Sequence, residues 1–234
     1  MILCLETSSP VCSVALCTSD GVVALKESRE TRSHASLLTV YIREVLSEAG
    51  ITVGDLDAIA VSKGPGSYTG LRIGVSVAKG IAYASTLPLI SVETTLSMFH
   101  GISDAIRLEY ATDAETIFIP MIDARRMEVY YSVFSSDGKV LKDISAEIID
   151  ENAFSWIDEA YSLLFFGDGA EKCMKVLKRN KILYVPEFTL SAKNMYKPAY
   201  VSFENKQFED VAYFEPFYLK DFITSKPKKG IIGR

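Results

Sequence analysis

The chain has 234 residues, of which 48% are hydrophobic, and a formal net charge of −5. This composition is sufficient for a packed core. The acidic balance argues against a protein that holds nucleic acid by itself, because neutralising phosphates requires a dense Lys/Arg surface. The sequence has neither a signal peptide at its start nor the roughly 18 apolar residues of a membrane span, so we expect a cytoplasmic protein that contacts no membrane.

Alternating apolar residues at the start of the chain predict a three-stranded meander. Its strands are Ile2 to Glu6, Cys12 to Cys17 and Val22 to Ser28. An apolar stripe then predicts a helix from about Ser33 to Ala49, because its apolar residues recur at helical spacing.

A glycine-rich turn, SKGPGSYTGLR, occupies Ser62 to Arg72 and is called the glycine loop below. It follows a predicted strand, Ala58 to Val61, and opens a predicted helix, Leu71 to Ser85. A strand, a glycine turn and a helix N-terminus together can cradle an anion. However, the loop lacks the Lys-Ser/Thr pair of a Walker motif and the GxGxxG spacing of a dinucleotide fold. Two interpretations remain open, a phosphate contact and a purely structural turn.

The second helix carries small residues in two rows at a spacing of four. One row is Gly70, Gly74, Ala78 and Ala82, and the other is Ser76, Gly80 and Ala84. Such rows allow another backbone to approach closely, although each glycine inside a helix costs about 1 kcal/mol relative to alanine. The neighbour could be the protein's own sheet and first helix, or a helix of another subunit.

The opening pattern recurs in the second half, which indicates two halves of similar topology. The chain first passes through a strand at Leu89 to Val92, a helix at Thr94 to Gly101 and a helical connection. The predicted elements that follow are strands at Ile117 to Asp123, Glu128 to Phe134 and about Val140 to Ile148, a strand and glycine turn at Leu163 to Ala170, a helix at Glu171 to Arg179, a strand at Ile182 to Val185 and a long helical stretch from near Leu190 that ends before Pro216.

This organisation predicts a first lobe over residues 1–103, a second over 104–215 and a terminal segment over 216–234 that ends in a basic, mobile tail, Lys226 to Arg234.

Glu6-Thr7 and Asp123-Ala124 end the first predicted strand of each half. If the halves pack with pseudo-twofold symmetry, these acids face a shared cleft of the kind that binds nucleotide phosphates and a metal. An acid after a strand is also a common turn former, so Glu6, Thr7 and Asp123 are candidates with two possible roles.

No catalytic or metal-binding set is recognisable in the sequence. The four cysteines lack CxxC spacing and are expected to be small buried hydrophobes. His34 and His100 belong to no HxxxH or HExxH pair that would place two imidazoles on one helical face. Ser67 lacks the GxSxG context of a nucleophile elbow. We therefore predict no catalytic residues and no metal site.

Three segments together resemble the bacterial TsaB (YeaZ) family. They are the first strand ending in acid-Thr-Ser, the segment SKGPGSYTGLRIG and the second-half strand MIDARRMEVY, and the C-terminal PFYLKDF is also similar to that family's closing motif. The resemblance covers essentially the whole chain. It implies an α/β fold of two tandem actin-like, Hsp70-like lobes, each with a mixed sheet flanked by helices.

The resemblance also implies a function. The protein would be the non-catalytic partner of the threonylcarbamoyl transferase TsaD, which acts with the ATPase TsaE to install threonylcarbamoyl on the adenosine beside the anticodon of tRNA. The chain would bind no cofactor alone, ATP and a metal ion would belong to its partners, it would form a homodimer when alone, and it would meet tRNA only through the complex. The alternatives are an ATP-dependent kinase or ATPase that uses Glu6 and Asp123, and a glycoprotease-like metallopeptidase.

In that family the first two helices of the N-terminal lobe make the subunit contact. Carried onto this sequence, the contact residues would be His34, Leu37, Leu38, Tyr41, Gly70, Arg72, Gly74, Ala78 and Ala82. The chain departs from the family at two positions, since Glu6 stands where Asp is usual and Thr39 stands where a proline often follows the Leu-Leu pair. The longer side chain of Glu6 weakens any inherited phosphotransfer role, because a shift of roughly 1 Å can matter greatly in chemistry.

Overall fold

The structure, a computed structural model, describes residues 1–29, 34–110 and 115–219 and contains two five-stranded mixed sheets. The strands of the first sheet are β1 (Ile2–Glu6), β2 (Cys12–Thr18), β3 (Gly21–Ser28), β4 (Ala58–Gly64) and β5 (Leu89–Glu93). Their order is β3-β2-β1-β4-β5. β1 pairs antiparallel with β2, which pairs antiparallel with β3, while β1, β4 and β5 run parallel. The predicted meander is confirmed.

The second sheet repeats this topology. Its strands are β6 (Thr116–Asp123), β7 (Glu128–Phe134), β8 (Val140–Ile148), β9 (Ser162–Phe166) and β10 (Ile182–Val185). Their order is β8-β7-β6-β9-β10, with antiparallel pairing from β6 to β8 and parallel pairing from β6 to β10. The fold class expected from the internal repeat and from the family resemblance is therefore confirmed.

Six α-helices occur in the described residues. They are α1 (His34–Glu48), α2 (Tyr68–Ser85), α3 (Thr94–Gly101), α4 (Asp104–Tyr110), α5 (Ala170–Met174) and α6 (Tyr196–Glu204). Ser33, where the first helix was predicted to start, lies outside the described residues. α2 begins three residues before the predicted Leu71, because the Ser67 hydroxyl accepts a hydrogen bond from the Gly70 amide at 3.2 Å and caps the helix.

Two helix predictions in the second half were too long. α5 ends at Met174 rather than Arg179, whose guanidinium instead donates to the carbonyl of Ile157 at 2.8 Å and holds the following segment against the loop before β9. The long helical stretch predicted from Leu190 is a short 3-10 turn followed by α6, which ends at Glu204. The chain then turns so that the Glu209 amide donates to the Leu89 carbonyl at the edge of the first sheet.

Each sheet is covered on both faces. α1 and α2 cover one face of the first sheet, where residues such as Leu38, Val45, Val75 and Ala78 form its core. α6 covers the other face through residues that include Ala199. α6 thus follows the second sheet in sequence but packs on the first sheet. The predicted basic tail lies outside the described residues.

Candidate functional site

The turn after β1 packs directly against the glycine loop. The Ser67 amide donates to the Ser8 carbonyl at 2.6 Å. A Cβ added to Gly66 would lie 2.3 Å from that same carbonyl oxygen, and one added to Gly74 would lie 2.2 Å from Thr7 Oγ1. Any side chain at these positions would force the turn away from the loop. Gly66 is therefore required by contact with the backbone of Ser8, and Gly74 by contact with the side chain of Thr7.

The other side of the glycine loop holds the C-terminal segment. The Phe217 amide donates to the Lys63 carbonyl at 2.7 Å. Gly64 has a φ of +110°, and a Cβ there would lie 2.8 Å from the Phe217 carbonyl oxygen. Because protein groups occupy both sides of the loop and the Ser67 amide is already bonded, the geometry favours the structural-turn interpretation over an anion cradle.

One row of small residues on α2 faces the interior. Gly70, Gly74, Ala78 and Ala82 are all buried against the first sheet and the turn after β1. Of the two neighbours that the sequence left open for this row, the structure shows the protein's own first lobe, through the turn after β1 and the core.

Two of the α1 residues expected at the subunit contact are also buried. Leu38 belongs to the core of the first lobe. His34 is buried at the helix start, where its Nε2 lies 3.0 Å from the Ser9 carbonyl oxygen. Leu37 and Tyr41 are partly exposed, and Arg72 on α2 is exposed. These three keep side chains that a partner can reach.

The second small row, Ser76, Gly80 and Ala84, is exposed. A Cβ on Gly80 would have no neighbour within 4 Å, and Tyr83 beside it is 82% exposed. Together with partly exposed apolar residues that pack on the core below, this row forms a continuous surface. We call it the helix face, and its residues are Leu37, Tyr41, Arg72, Ile73, Ser76, Val77, Gly80, Ile81, Tyr83 and Ala84.

A C-terminal strap, residues 212–218, borders the helix face. Phe214 inserts into the core of the first lobe and is 9% exposed. Lys79 on α2 donates to the carbonyls of Ala212 and Phe214 at 3.1 and 2.9 Å. The sequence did not predict what this segment packs against, although the PFYLKDF motif includes part of it.

An aromatic and cationic stack joins the strap to the start of α2. The guanidinium of Arg72 lies 4.0 Å from the centre of the Tyr68 ring, and its Nε donates to the Tyr218 hydroxyl at 3.1 Å. The rings of Tyr68 and Tyr218 are 5.1 Å apart. Arg72 thus belongs both to the helix face and to the contact that holds the strap.

The Glu6 carboxylate lies in the interior and is 0% exposed. Its Oε1 accepts hydrogen bonds from the Ser8 amide, the Ser8 hydroxyl and the Ser62 hydroxyl at 2.7, 2.6 and 2.9 Å. Its Oε2 is buried and has no partner among the described residues. Desolvation raises the Glu6 pKa although these hydrogen bonds oppose the shift.

The other two cofactor candidates also make contacts within the protein. Thr7 is buried under Gly74. Asp123 accepts hydrogen bonds from Lys172 and from the Arg125 amide. Partial burial acts to raise the Asp123 pKa, but these two partners outweigh it and the pKa is lowered. A cavity lies between the lobes, but Glu6, Thr7 and Asp123 are not among the residues that line it.

The described part of the chain contains neither a metal-binding cluster nor a membrane-spanning helix. Within residues 1–29, 34–110 and 115–219, no three His, Cys, Asp or Glu side chains lie close enough together to hold a metal ion. No helix in this part of the chain is long and apolar enough to cross a bilayer.

Comparison with known proteins identifies the family. The family model described as TsaD: tRNA N6-adenosine threonylcarbamoyltransferase matches residues 22–226. The tRNA threonylcarbamoyladenosine biosynthesis protein TsaB of Haemophilus influenzae is 30% identical, with 98% of this chain and 97% of that protein aligned. The Escherichia coli protein of the same name is 28% identical, with 98% of each chain aligned.

The solved structure of YeaZ from Pseudomonas aeruginosa superposes with a TM-score of 0.80 and 25% sequence identity, over 93% of this chain and 99% of that one. The two lobes therefore correspond along almost their whole length. With a near-complete alignment to named relatives and this agreement in fold, the chain belongs to the TsaB (YeaZ) family.

Proposed function

We propose that this chain acts in the biosynthesis of threonylcarbamoyladenosine in tRNA, as a non-catalytic subunit that supports a TsaD-type transferase. The observation that carries the proposal is the alignment over 97–98% of relatives named for this pathway. The match of residues 22–226 to the TsaD family model supports a pairing of two related chains, because related folds can present similar helix surfaces to each other.

The helix face is the surface proposed to bind the TsaD-type protein, and a second copy of this chain when that protein is absent. Its exposed centre combines small residues at Ser76, Gly80 and Ala84 with the ring of Tyr83. Small residues let a second helix approach closely, and an exposed tyrosine supplies a large contact area at low entropic cost. We therefore assign the contact with the partner to the exposed row of α2, Ser76, Gly80 and Ala84.

The chemistry is proposed to reside in the partners. Glu6 is enclosed by Ser8 and Ser62, and Asp123 is bonded to Lys172, so both carboxylates of the ATPase alternative are already engaged within the protein. We accordingly assign ATP and a metal ion to the TsaD-type transferase and a TsaE-type ATPase, assign tRNA contact to the assembled complex, and place the protein in the cytoplasm.

A matched pair of variants tests the surface. Gly80→Arg places a long charged side chain at the centre of the helix face, where the space above the glycine is open and arginine favours a helix more than glycine does. Val201→Arg makes a similar change on α6, at a side chain that is 56% exposed on the opposite side of the first sheet. Size-exclusion chromatography with light scattering would measure complex formation with a TsaD-type protein.

We expect wild type and Val201→Arg to form the complex and Gly80→Arg to lose it without a fall in its unfolding midpoint. Equal binding of the TsaD-type protein by Gly80→Arg and wild type would place the contact elsewhere.

A second experiment tests the pathway in the host. Depletion of the protein should lower the amount of threonylcarbamoyladenosine in tRNA, measured by mass spectrometry of nucleosides. An unchanged level would overturn the pathway assignment.

A further inference from the structure

A cavity of about 220 Å³ lies between the two lobes and is not used by the proposed function. Most of its wall is apolar, from Pro10 and Val11 after β1, Met98 on α3, Ile122 on β6 and Leu190 before α6. This volume is below the roughly 300 Å³ at which pockets for drug-sized ligands begin. The cavity therefore suits a molecule much smaller than a nucleoside triphosphate.

A cation lies at the first-lobe side of this cavity. Arg29 follows β3, and its Nη2 donates to the Thr189 hydroxyl at 3.0 Å, with both residues among those that line the cavity. Among the described residues, no carboxylate forms an ion pair with Arg29. A guanidinium has five N–H donors, so Arg29 can also bind a carboxylate.

A carboxylate lies at the second-lobe side. Gly167, with a φ of +101°, turns the chain where a Cβ would lie 2.3 Å from the Met121 carbonyl oxygen, and so places Asp168 at the cavity. Asp168 Oδ1 accepts a hydrogen bond from the Asp123 amide at 3.0 Å, which leaves acceptor capacity on the carboxylate. Asp168 is an exposed residue, yet neighbouring protein atoms desolvate its carboxylate and raise its pKa, and an ammonium group beside it would favour its charged form.

Thr94, at the start of α3, is also among the residues that line the cavity. Its side chain is buried, and its Oγ1 is enclosed by protein and has no hydrogen-bond partner among the described residues. The side chains of Arg29 and Asp168, which are exposed, are therefore the charged groups of this lining that a molecule in the cavity can reach.

We propose that the cavity binds an apolar α-amino acid. Its carboxylate pairs with Arg29, its ammonium with Asp168, and its side chain packs against Met98 and Ile122. A cation and an anion contributed from opposite lobes match a zwitterion better than a ligand with a single charge. Because the ligand contacts both lobes, its binding also favours the arrangement of the lobes seen here.

Isothermal titration calorimetry on the purified chain tests the ligand class. The probes are L-leucine, L-methionine and L-phenylalanine, together with 4-methylpentanoate, which lacks the ammonium of leucine, and isoamylamine, which lacks its carboxylate. We expect at least one amino acid to bind and, for leucine, each analogue to bind at least tenfold more weakly. Absence of heat with all three amino acids at millimolar concentration, or equal binding of leucine and 4-methylpentanoate, overturns the proposal.

Two charge-removing variants test the geometry. Arg29→Gln should weaken amino-acid binding about tenfold and leave isoamylamine unaffected, because only the carboxylate partner is lost. Asp168→Asn should weaken the amino acid similarly and leave 4-methylpentanoate unaffected. Arg126→Gln, an exposed arginine outside the cavity lining, is the control, and unfolding midpoints verify folding. Wild-type affinity in both cavity variants would contradict the assignment, whatever the outcome for the tRNA pathway.

Discussion

The carbonyl oxygen of Thr7 lies so close to Gly70 that a Cβ on this glycine would be 2.0 Å from it. Thr7 directly follows β1, whereas Gly70 lies in the first turn of α2. The contact brings the turn after β1 under the helix start and explains why the GPGSYTGLR segment needs glycine here. Packing against the backbone of Thr7 therefore accounts for the glycine at this position of the motif.

Gly70→Ala should destabilise the protein by about 3 kcal/mol, since the added methyl group meets backbone that cannot move without disturbing β1. Gly80→Ala, in the same helix, should stabilise it by about 1 kcal/mol, because the space around Gly80 is open and alanine favours the helix. Urea unfolding followed by circular dichroism measures both. Similar effects of the two substitutions would contradict the packing described for α2.

The strap offers a matched pair of neighbouring aromatic residues. Phe214 is 9% exposed and packs in the core of the first lobe, while Tyr213 is 83% exposed. Phe214→Ala should cost about 3 kcal/mol of unfolding free energy, and Tyr213→Ala should change it by less than about 0.5 kcal/mol. If Phe214→Ala is as mild as Tyr213→Ala in urea unfolding, the strap does not contribute to the core.

Glu6 should make stability depend on pH. Its pKa in the folded state is raised, chiefly by desolvation, so its contribution is greatest below its ordinary pKa of 4.5 and is lost as the pH rises through the folded value. Glu6→Gln removes this dependence and keeps an oxygen acceptor for Ser8 and Ser62. The variant should therefore gain stability relative to wild type as the pH rises above 4.5. A difference that stays constant with pH would exclude a raised pKa at Glu6.

His100 should make stability depend on pH in the opposite direction, because its pKa is lowered. Desolvation, with the charges of Lys197 and Arg107, lowers its pKa from 6.5 to about 4. The unfolded chain then takes up the proton first, so stability is lost as the pH falls from about 6.5 towards about 4.

NMR titration of the His100 ring would measure this pKa directly. Lys197→Ala should raise it, whereas Lys175→Ala, on α5 and not among the charges acting on His100, should leave it unchanged. A His100 pKa near 6.5 in wild type would show that the ring is not desolvated as the structure has it.

Local patterns were sufficient for most of the architecture. The alternation in Ile2 to Ser28 and its recurrence from Ile117 predicted two similar halves, and the two sheets have the same strand order. Such patterns can be recognised because strand and helix periodicity arise from neighbouring residues. The helices predicted after Ala170 and from Leu190 are shorter in the structure. Arg179 contacts the backbone of Ile157 and Glu209 contacts the backbone of Leu89, and these contacts with distant segments take the place of further helical turns.

The sequence by itself determined the order of the elements, the two-lobe fold, the family and the importance of the glycine loop. Only the tertiary structure decided which small row of α2 is interior, that Glu6 is enclosed, and that the strap and α6 lie on the first lobe. Both rows consist of small residues, so their composition does not distinguish an inner from an outer face. The distinction depends on contacts between residues far apart in the chain, such as Thr7 with Gly70 and Lys79 with Phe214.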